Sequence, residues 1–215
     1  MIKQIIFDVG GVLLDFDPAA MISAVTDDPA EAALLRQEVF GHSDWCRFDR
    51  GASPIELEES ILLRLPCHLE NPARELLDTW WERLAPKEEM GELVRELHGL
   101  GYPLYILSNA PVDFSHFQDR IPGWGLYRGV MLSWEEKLLK PDPELYRRLF
   151  TRFGLRPGEC FFIDDSPANV EAAQWCGMSA FLYRNDPDQL RTALRGLDVP
   201  VEGQDPAWKK FLRKE

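Results

Sequence analysis

Apolar residues recur along this chain at two spacings. Short, nearly unbroken runs occur at Ile5-Ile6-Phe7, Leu104-Tyr105-Ile106-Leu107, Cys160-Phe161-Phe162-Ile163 and Ala180-Phe181-Leu182-Tyr183. Runs of that length bounded by turn residues read as buried strands, and Val130-Met131-Leu132 reads as a further short one. Between the runs, apolar positions follow helical spacing. Glu88 to Leu100 is amphipathic and meets Gly101; Pro143 to Phe153 meets Gly154; Pro167 to Cys176 meets Gly177. A glycine just past the last periodic residue stops a helix, because it reaches left-handed φ without steric cost. Strands alternating with helices predict an α/β fold, a doubly wound parallel sheet with right-handed crossovers.

One stretch breaks this alternation. From about Asp17 to Ala85 no strand pattern appears. Ser53-Pro54-Ile55-Glu56 has the form of a capping box with proline at the first helical position. Pro29 opens another helix, and Asn71-Pro72 opens one that carries Leu76, Leu77, Trp80, Trp81 and Leu84 on its apolar side. The expected organisation is therefore a core made of residues 1–16 and 87–200, an inserted all-helical cap over 17–86, and a polar C-terminal tail over 201–215.

Composition narrows the partners. The formal net charge is −12, with Asp and Glu outnumbering Lys and Arg by 36 to 24. Such a surface repels phosphate backbones, so no nucleic acid partner is expected; a small anionic substrate remains compatible with a locally positive site. No apolar run has the length of a membrane span, so no membrane partner is expected. Met1-Ile2-Lys3-Gln4 leads directly into the first strand with no secretory pattern. Cys46, Cys67, Cys160 and Cys176 form no C-x-x-C pair. A cytoplasmic protein with reduced thiols is the expectation, with Cys160 and Cys176 as core thiols.

Three of the predicted strands end in polar residues: Asp8, Ser108-Asn109 and Asp164-Asp165. Ligands in open α/β sheets bind beyond the carboxyl ends of the strands, so these residues are candidates for one site. A carboxylate at a strand end can attack phosphorus and form an acyl phosphate. Adjacent acids after a buried strand repel each other unless a cation joins them. Each residue alone has a plainer role: Asp8 as a turn former, Asp165 or Ser166 as a helix cap, Lys140 as a solvated charge.

Their arrangement is more specific. Phe7-Asp8-Val9-Gly10-Gly11-Val12-Leu13, Leu107-Ser108-Asn109, Lys140-Pro141-Asp142-Pro143 and Phe162-Ile163-Asp164-Asp165-Ser166-Pro167-Ala168-Asn169 resemble, in order, the four motifs of the haloacid dehalogenase superfamily. The resemblance spans Ile5 to about Tyr183 and implies a Rossmann-like core with a helical cap, as in small sugar-phosphate phosphatases. It implies a magnesium-dependent phosphomonoester phosphatase that acts on a small phosphorylated metabolite through an aspartyl-phosphate. Asp8 would be the nucleophile, and Lys140 would hold the charges of Asp8 and the phosphoryl group. Ser108 and Asn109 would bind phosphate. Mg2+ would be held by Asp8, the carbonyl of Gly10 and Asp165, a hard ion on oxygen ligands. Asp164 and Asn169 would support the site.

Many phosphatases of this family place a second Asp two residues past the nucleophile as general acid. Here that position is Gly10. Asp15 and Asp17, at the entry to the cap, are the alternatives the sequence offers. The segment Trp45-Cys46-Arg47-Phe48-Asp49-Arg50-Gly51 reads either as a substrate-facing loop or as a buried Trp45 and Phe48 flanked by solvated arginines. The competing functions are a hydrolytic haloacid dehalogenase, against which Asp164-Asp165 argues, and a catalytically weak binding or regulatory protein on the same scaffold.

Overall fold

In a computed structural model, residues 1–203 are described. The strands are β1 (Gln4–Phe7), β2 (Leu14–Asp15), β3 (Ala85–Pro86), β4 (Leu104–Ser108), β5 (Tyr127–Leu132), β6 (Cys160–Asp164) and β7 (Ser179–Leu182). Five of them form one parallel sheet of order β5-β4-β1-β6-β7. The inner strands β1, β4 and β6 are covered on both faces, which is why their sequences are continuous apolar runs. The edge strand β5 begins three residues before the predicted Val130. Its outer side needs no apolar cover, so Tyr127-Arg128-Gly129 gives no strand signal.

The insertion after β2 holds α1 (Pro18–Ile22), α2 (Pro29–Leu35), α3 (Ser43–Asp49), α4 (Pro54–Leu62) and α5 (Glu70–Thr79). Asp17, Asp28 and Ser53 cap the first, second and fourth of these, each immediately before a proline. The cap side chain takes up orphan backbone N–H groups, while proline sacrifices none that was needed. Ser53 and Glu56 form the full capping box. Helix α5 starts at Glu70, ahead of Asn71-Pro72, and yields to a 3-10 turn at Trp80–Arg83. Of the two readings of Trp45 to Gly51, the structure gives the one with Trp45 and Phe48 buried and Arg47 exposed, and most of the segment lies in α3. One π-helical turn, Arg36–Phe40, follows α2.

After β3, the core helices are α6 (Glu88–Gly99), α7 (Phe114–Phe117), α8 (Ser133–Glu136), α9 (Pro143–Phe153), α10 (Pro167–Trp175) and α11 (Pro187–Gly196). Gly101, Gly154 and Gly177 all follow helix ends with positive φ. Val199 and Val201 are buried in the core, so the packed chain reaches one residue into the expected tail, whose positions 204–215 lie outside the described residues. Among the described residues no helix is long and apolar enough to cross a membrane.

No apolar pattern marks the short antiparallel pair β2–β3, with Leu14 opposite Pro86 and Asp15 opposite Ala85. It sits where the chain leaves the core and where it returns. A second feature built from distant residues is a polar knot within the insertion. Arg64 donates to Glu38 at 2.6 Å and to Asp44 at 2.8 Å, and Ser60 donates to Asp44 at 2.7 Å. These bonds, that from Ser60 most, hold the Asp44 carboxyl far below the usual carboxylate range. Removing Arg64 leaves the largely buried Glu38 without its cation and Asp44 with Ser60 and Arg47. Arg64→Ala is expected to cost about 2–3 kcal/mol, below the ~3–5 of a fully buried pair because Arg64 stays partly exposed. That corresponds to a fall in Tm of roughly 4–12 °C, read by calorimetry.

Candidate active site

Parallel pairing in register brings the candidate residues together. Phe7 lies opposite Ile106 on one side and Ile163 on the other. The next residues along the three strands are Asp8, Leu107-Ser108 and Asp164-Asp165, so all emerge at one sheet edge. The turn after β1 is held by the carbonyl of Val9, which accepts from the N–H groups of Leu13 and Leu14. Gly11 has φ +73°, and a Cβ there would overlap the Asp165 carboxylate. Glycine at this position lets the first and last motif loops touch.

At the centre, the Lys140 ammonium lies 2.8 Å from Asp8 Oδ1 and 2.6 Å from Asp164 Oδ2, with no exposed side-chain surface. Asp164 also accepts from Asn169 Nδ2 at 3.0 and 3.2 Å and from the Ser166 N–H at 2.9 Å. The Tyr146 hydroxyl in turn donates to the Asn169 carbonyl at 3.0 Å. Asn109 plays a part that the sequence did not suggest. Its side-chain amide donates to the Lys140 carbonyl at 3.0 Å and accepts from the Lys140 N–H at 2.8 Å, clamping that backbone beside β4. The Ser108 hydroxyl has only the distant Asn109 carbonyl, at 3.4 Å, as a described partner, and so remains available to a ligand.

The charges do not balance. Carboxylate oxygens of Asp8, Asp164 and Asp165 fall within 4.8 Å of one another around a single ammonium. Burial, followed by the charge of Asp164 and offset in part by Lys140, pushes Asp8 up to about 7. Burial and Asp164 also raise Asp165. Burial works against the charge on Lys140, yet Asp8 and Asp164 outweigh it and hold its pKa above the usual lysine value. A divalent cation between Asp8 and Asp165 would relieve this repulsion. The residues therefore fit such an ion, with Asp164 occupied by Lys140 and Asn169 and less free to ligate.

Above these groups is a cavity of about 240 Å³. Its floor includes Asp8, Gly10, Ser108, Asn109 and Asp165; Phe16, Trp45, Trp80, Leu84 and Phe117 form its apolar side. Asp15 and Asp17 do not line it. Asp15 pairs with Lys87, and Asp17 is spent on the cap of α1. Arg47 pairs with Asp44 at 2.9 Å, and neither it nor Arg50 lines the cavity. The carboxylate that does face it from the insertion is Asp49. Burial, and then the charge of Asp8, push Asp49 up to about 7. Its backbone is tied to the core, because Ser133 Oγ donates to the Asp49 carbonyl at 2.5 Å while accepting from the Ala110 N–H at 2.9 Å. The aromatic and charged pattern of Trp45 to Gly51 points to this segment, but only the docking singles out Asp49 within it.

A family model described as haloacid dehalogenase-like hydrolase matches residues 2–177. The chain is 31% identical over 180 residues to the sesquiterpene phosphatase astK of Aspergillus oryzae, covering 82% of this chain and 87% of that one. It is 27% identical over 195 residues to a phosphoglycolate phosphatase of Vibrio vulnificus, covering 84% and 82%. A haloacid dehalogenase family enzyme of Bacteroides thetaiotaomicron, solved with magnesium and inorganic phosphate, superposes with a TM-score of 0.70 at 23% identity, covering 88% of this chain and 99% of that chain. The L-2-haloacid dehalogenase of Xanthobacter autotrophicus superposes with a TM-score of 0.64 at 19% identity, covering 97% and 91%.

The raised carboxyls make stability depend on pH and metal together. Asp8 and Asp49 bind protons more tightly in the folded than in the unfolded chain, so folding free energy is lost as pH rises from about 4 towards 7. Glu38 and Asp44, held low, are ionised in both states above about pH 5 and do not oppose this trend. In chelator, Tm should fall between pH 5 and pH 8. Added Mg2+ should raise Tm more at pH 8 than at pH 5, because the ion competes with protons. Thermal unfolding across that grid checks both; an equal Mg2+ effect at the two pH values would contradict the assignment.

Proposed function

The chain belongs to the haloacid dehalogenase-like hydrolases, and on that footing we propose that it is a magnesium-dependent phosphomonoester phosphatase for a small phosphorylated metabolite. One observation carries the reading: a buried lysine shared by Asp8 and Asp164, with Asp165 adjacent, at the base of a cavity that also exposes Ser108. In this reading the set supplies a nucleophile, ligands for a cation and a hydrogen-bond donor for phosphate at one sheet edge. The phosphatases among its relatives support the reaction class. The paired acids Asp164-Asp165 favour it over halide displacement, which needs no cation.

In this reading Asp8 attacks phosphorus, forming a carboxylate oxygen–phosphorus bond as the ester oxygen leaves. Water then attacks the same phosphorus and frees the Asp8 carboxylate and inorganic phosphate. Ser108 and the N–H of Asn109 bind phosphoryl oxygens, and Lys140 keeps Asp8 ionised and oriented. Bound Mg2+, held by Asp8, Asp165 and the Gly10 carbonyl, supplies neutralisation of the phosphoryl charge. Asp164 and Asn169 fix Lys140 in place.

The family's usual acid is replaced by Gly10, and the role passes to Asp49 across the cavity. Protonated Asp49 gives its proton to the leaving oxygen, and the resulting carboxylate takes one from the attacking water. A group poised near 7 suits both steps at neutral pH.

Asp8→Asn is expected to abolish Mg2+-dependent phosphate release from p-nitrophenyl phosphate while far-UV circular dichroism stays unchanged; chloride release from 2-chloropropionate should be absent in both proteins. Normal turnover by a clean Asn variant would remove Asp8 as nucleophile. Asp49→Asn should lower kcat/KM for alkyl phosphates by about 10²–10⁴-fold, yet barely affect p-nitrophenyl phosphate, whose leaving group needs no proton. Gly10→Asp in that background should restore part of the loss, since a Cβ at residue 10 meets only Phe16 Cβ, at an ordinary 3.8 Å. Equal losses on both ester classes would assign Asp49 a structural role instead.

A further inference from the structure

The upper part of the cavity has a chemistry of its own. Phe16 packs against Phe40, Trp45 and Trp80 with ring centroids 5.8, 6.2 and 6.3 Å apart, and Trp80 continues the row to Phe117 at 5.5 Å. Trp45 and Trp80 themselves meet edge-on at 5.3 Å. Among the described residues that line the cavity, none is lysine, arginine or histidine. Several cations near these residues are engaged elsewhere: Lys87 with Asp15, Arg47 with Asp44, Arg83 with Thr79, and Lys137 with the Gly51 carbonyl and the Trp134 ring. Lys140 lies beneath Asp8 and outside the cavity lining. The ionisable groups that do line it are Asp8, Asp49 and Asp165, all acids.

From this we infer that the aromatic compartment is a subsite for a carbon-rich alcohol that bears no anionic group of its own, so that the substrate is a phosphomonoester whose tail is an apolar chain or ring. The inference rests on the phosphatase reading of the floor. Phosphate neutralisation is served at the base by Ser108 and the cation site. A second carboxylate or phosphate on the alcohol would find no cation in the compartment and would be desolvated beside three acids. A polyhydroxylated sugar would leave hydroxyls against rings that offer few hydrogen-bonding groups. An apolar chain or ring gains by burial against the same surface. The cavity, at about 240 Å³, lies just below the range of roughly 300–1,000 Å³ for drug-sized ligands, which keeps the alcohol small.

The test separates tail recognition from turnover. Isothermal titration calorimetry in Mg2+ compares benzylphosphonate and phosphonoacetate, which share a non-hydrolysable head and differ in the tail, one an apolar ring and the other a carboxylate. Benzylphosphonate is expected to bind at least about tenfold more tightly than phosphonoacetate. In parallel, kcat/KM is measured for 4-ethylphenyl phosphate and 4-(carboxymethyl)phenyl phosphate, whose leaving groups are alike and whose tails differ by one carboxylate; the uncharged ester should be preferred. Phe16, 37% exposed, tolerates change, and Phe16→Lys should narrow both gaps by placing a cation on the wall. Equal or tighter binding of phosphonoacetate by the wild type would overturn the subsite. If no ester releases phosphate but benzylphosphonate still binds best, the phosphatase reading fails and the apolar subsite stands. If all esters turn over without regard to tail charge, the reverse holds.

Discussion

Lys140 carries its charge with no exposed side-chain surface, and carboxylates at the ends of two neighbouring strands answer it. Neither partner tolerates that position without the other. An ammonium taken out of water loses far more than one ion pair returns unless its other contacts are satisfied as well. Asn109 therefore fixes the Lys140 backbone, Asn169 and the Ser166 N–H complete Asp164, and Tyr146 holds Asn169. The ends of β1, β4 and β6 are locked to one another through a group that belongs to none of them. Because one ammonium faces three clustered carboxylates, the site retains an excess of negative charge. That excess is the electrostatic reason a divalent ion suits it.

Burial is what made much of this legible in the sequence. A strand covered on both faces has to be an apolar run, and where such a run stops at Asp8, Ser108 or Asp164 the sheet edge is marked directly. Helix ends were legible for a similar local reason: Pro29 and the Ser53-Pro54 box mark first turns, and Gly101, Gly154 and Gly177 follow the last ones. Of the insertion, the sequence marked the segment Trp45 to Gly51 as a candidate for facing substrate, but not which of its residues faces the cavity. Asp49 differs from its acidic neighbours only in how α3 docks on Ser133, a contact between residues 84 positions apart. The amide clamp of Asn109 on Lys140 spans 31 positions and leaves no periodic trace. Asp15 and Asp17 were nearer to the nucleophile along the chain, yet a lysine and a helix terminus claim them.

The aromatic row and the acid chemistry are linked through water. Rings that exclude solvent from the cavity also desolvate the carboxyls beneath them, and burial is the largest cause of the raised values at both Asp8 and Asp49. For Asp49 this suits proton transfer. For Asp8 it is opposed by Lys140 beside it. One wall thus acts on two carboxyls in the same direction, and the lysine decides which of them is free to act as an acid.

The short ladder between Leu14–Asp15 and Ala85–Pro86 has a consequence for ancestry. It brings the departure and return of the chain to adjacent points, so the intervening segment hangs from the sheet as one closed loop. The entropy of closing such a loop rises only with the logarithm of its length, by about 0.6 kcal/mol for each doubling. Lengthening, shortening or exchanging the segment therefore perturbs the sheet little, provided the ladder is kept. Most of the inserted segment is thus free to drift with the molecules it meets, while the buried ion pair fixes the core and the Asp49–Ser133 contact fixes the one point where the segment docks on it.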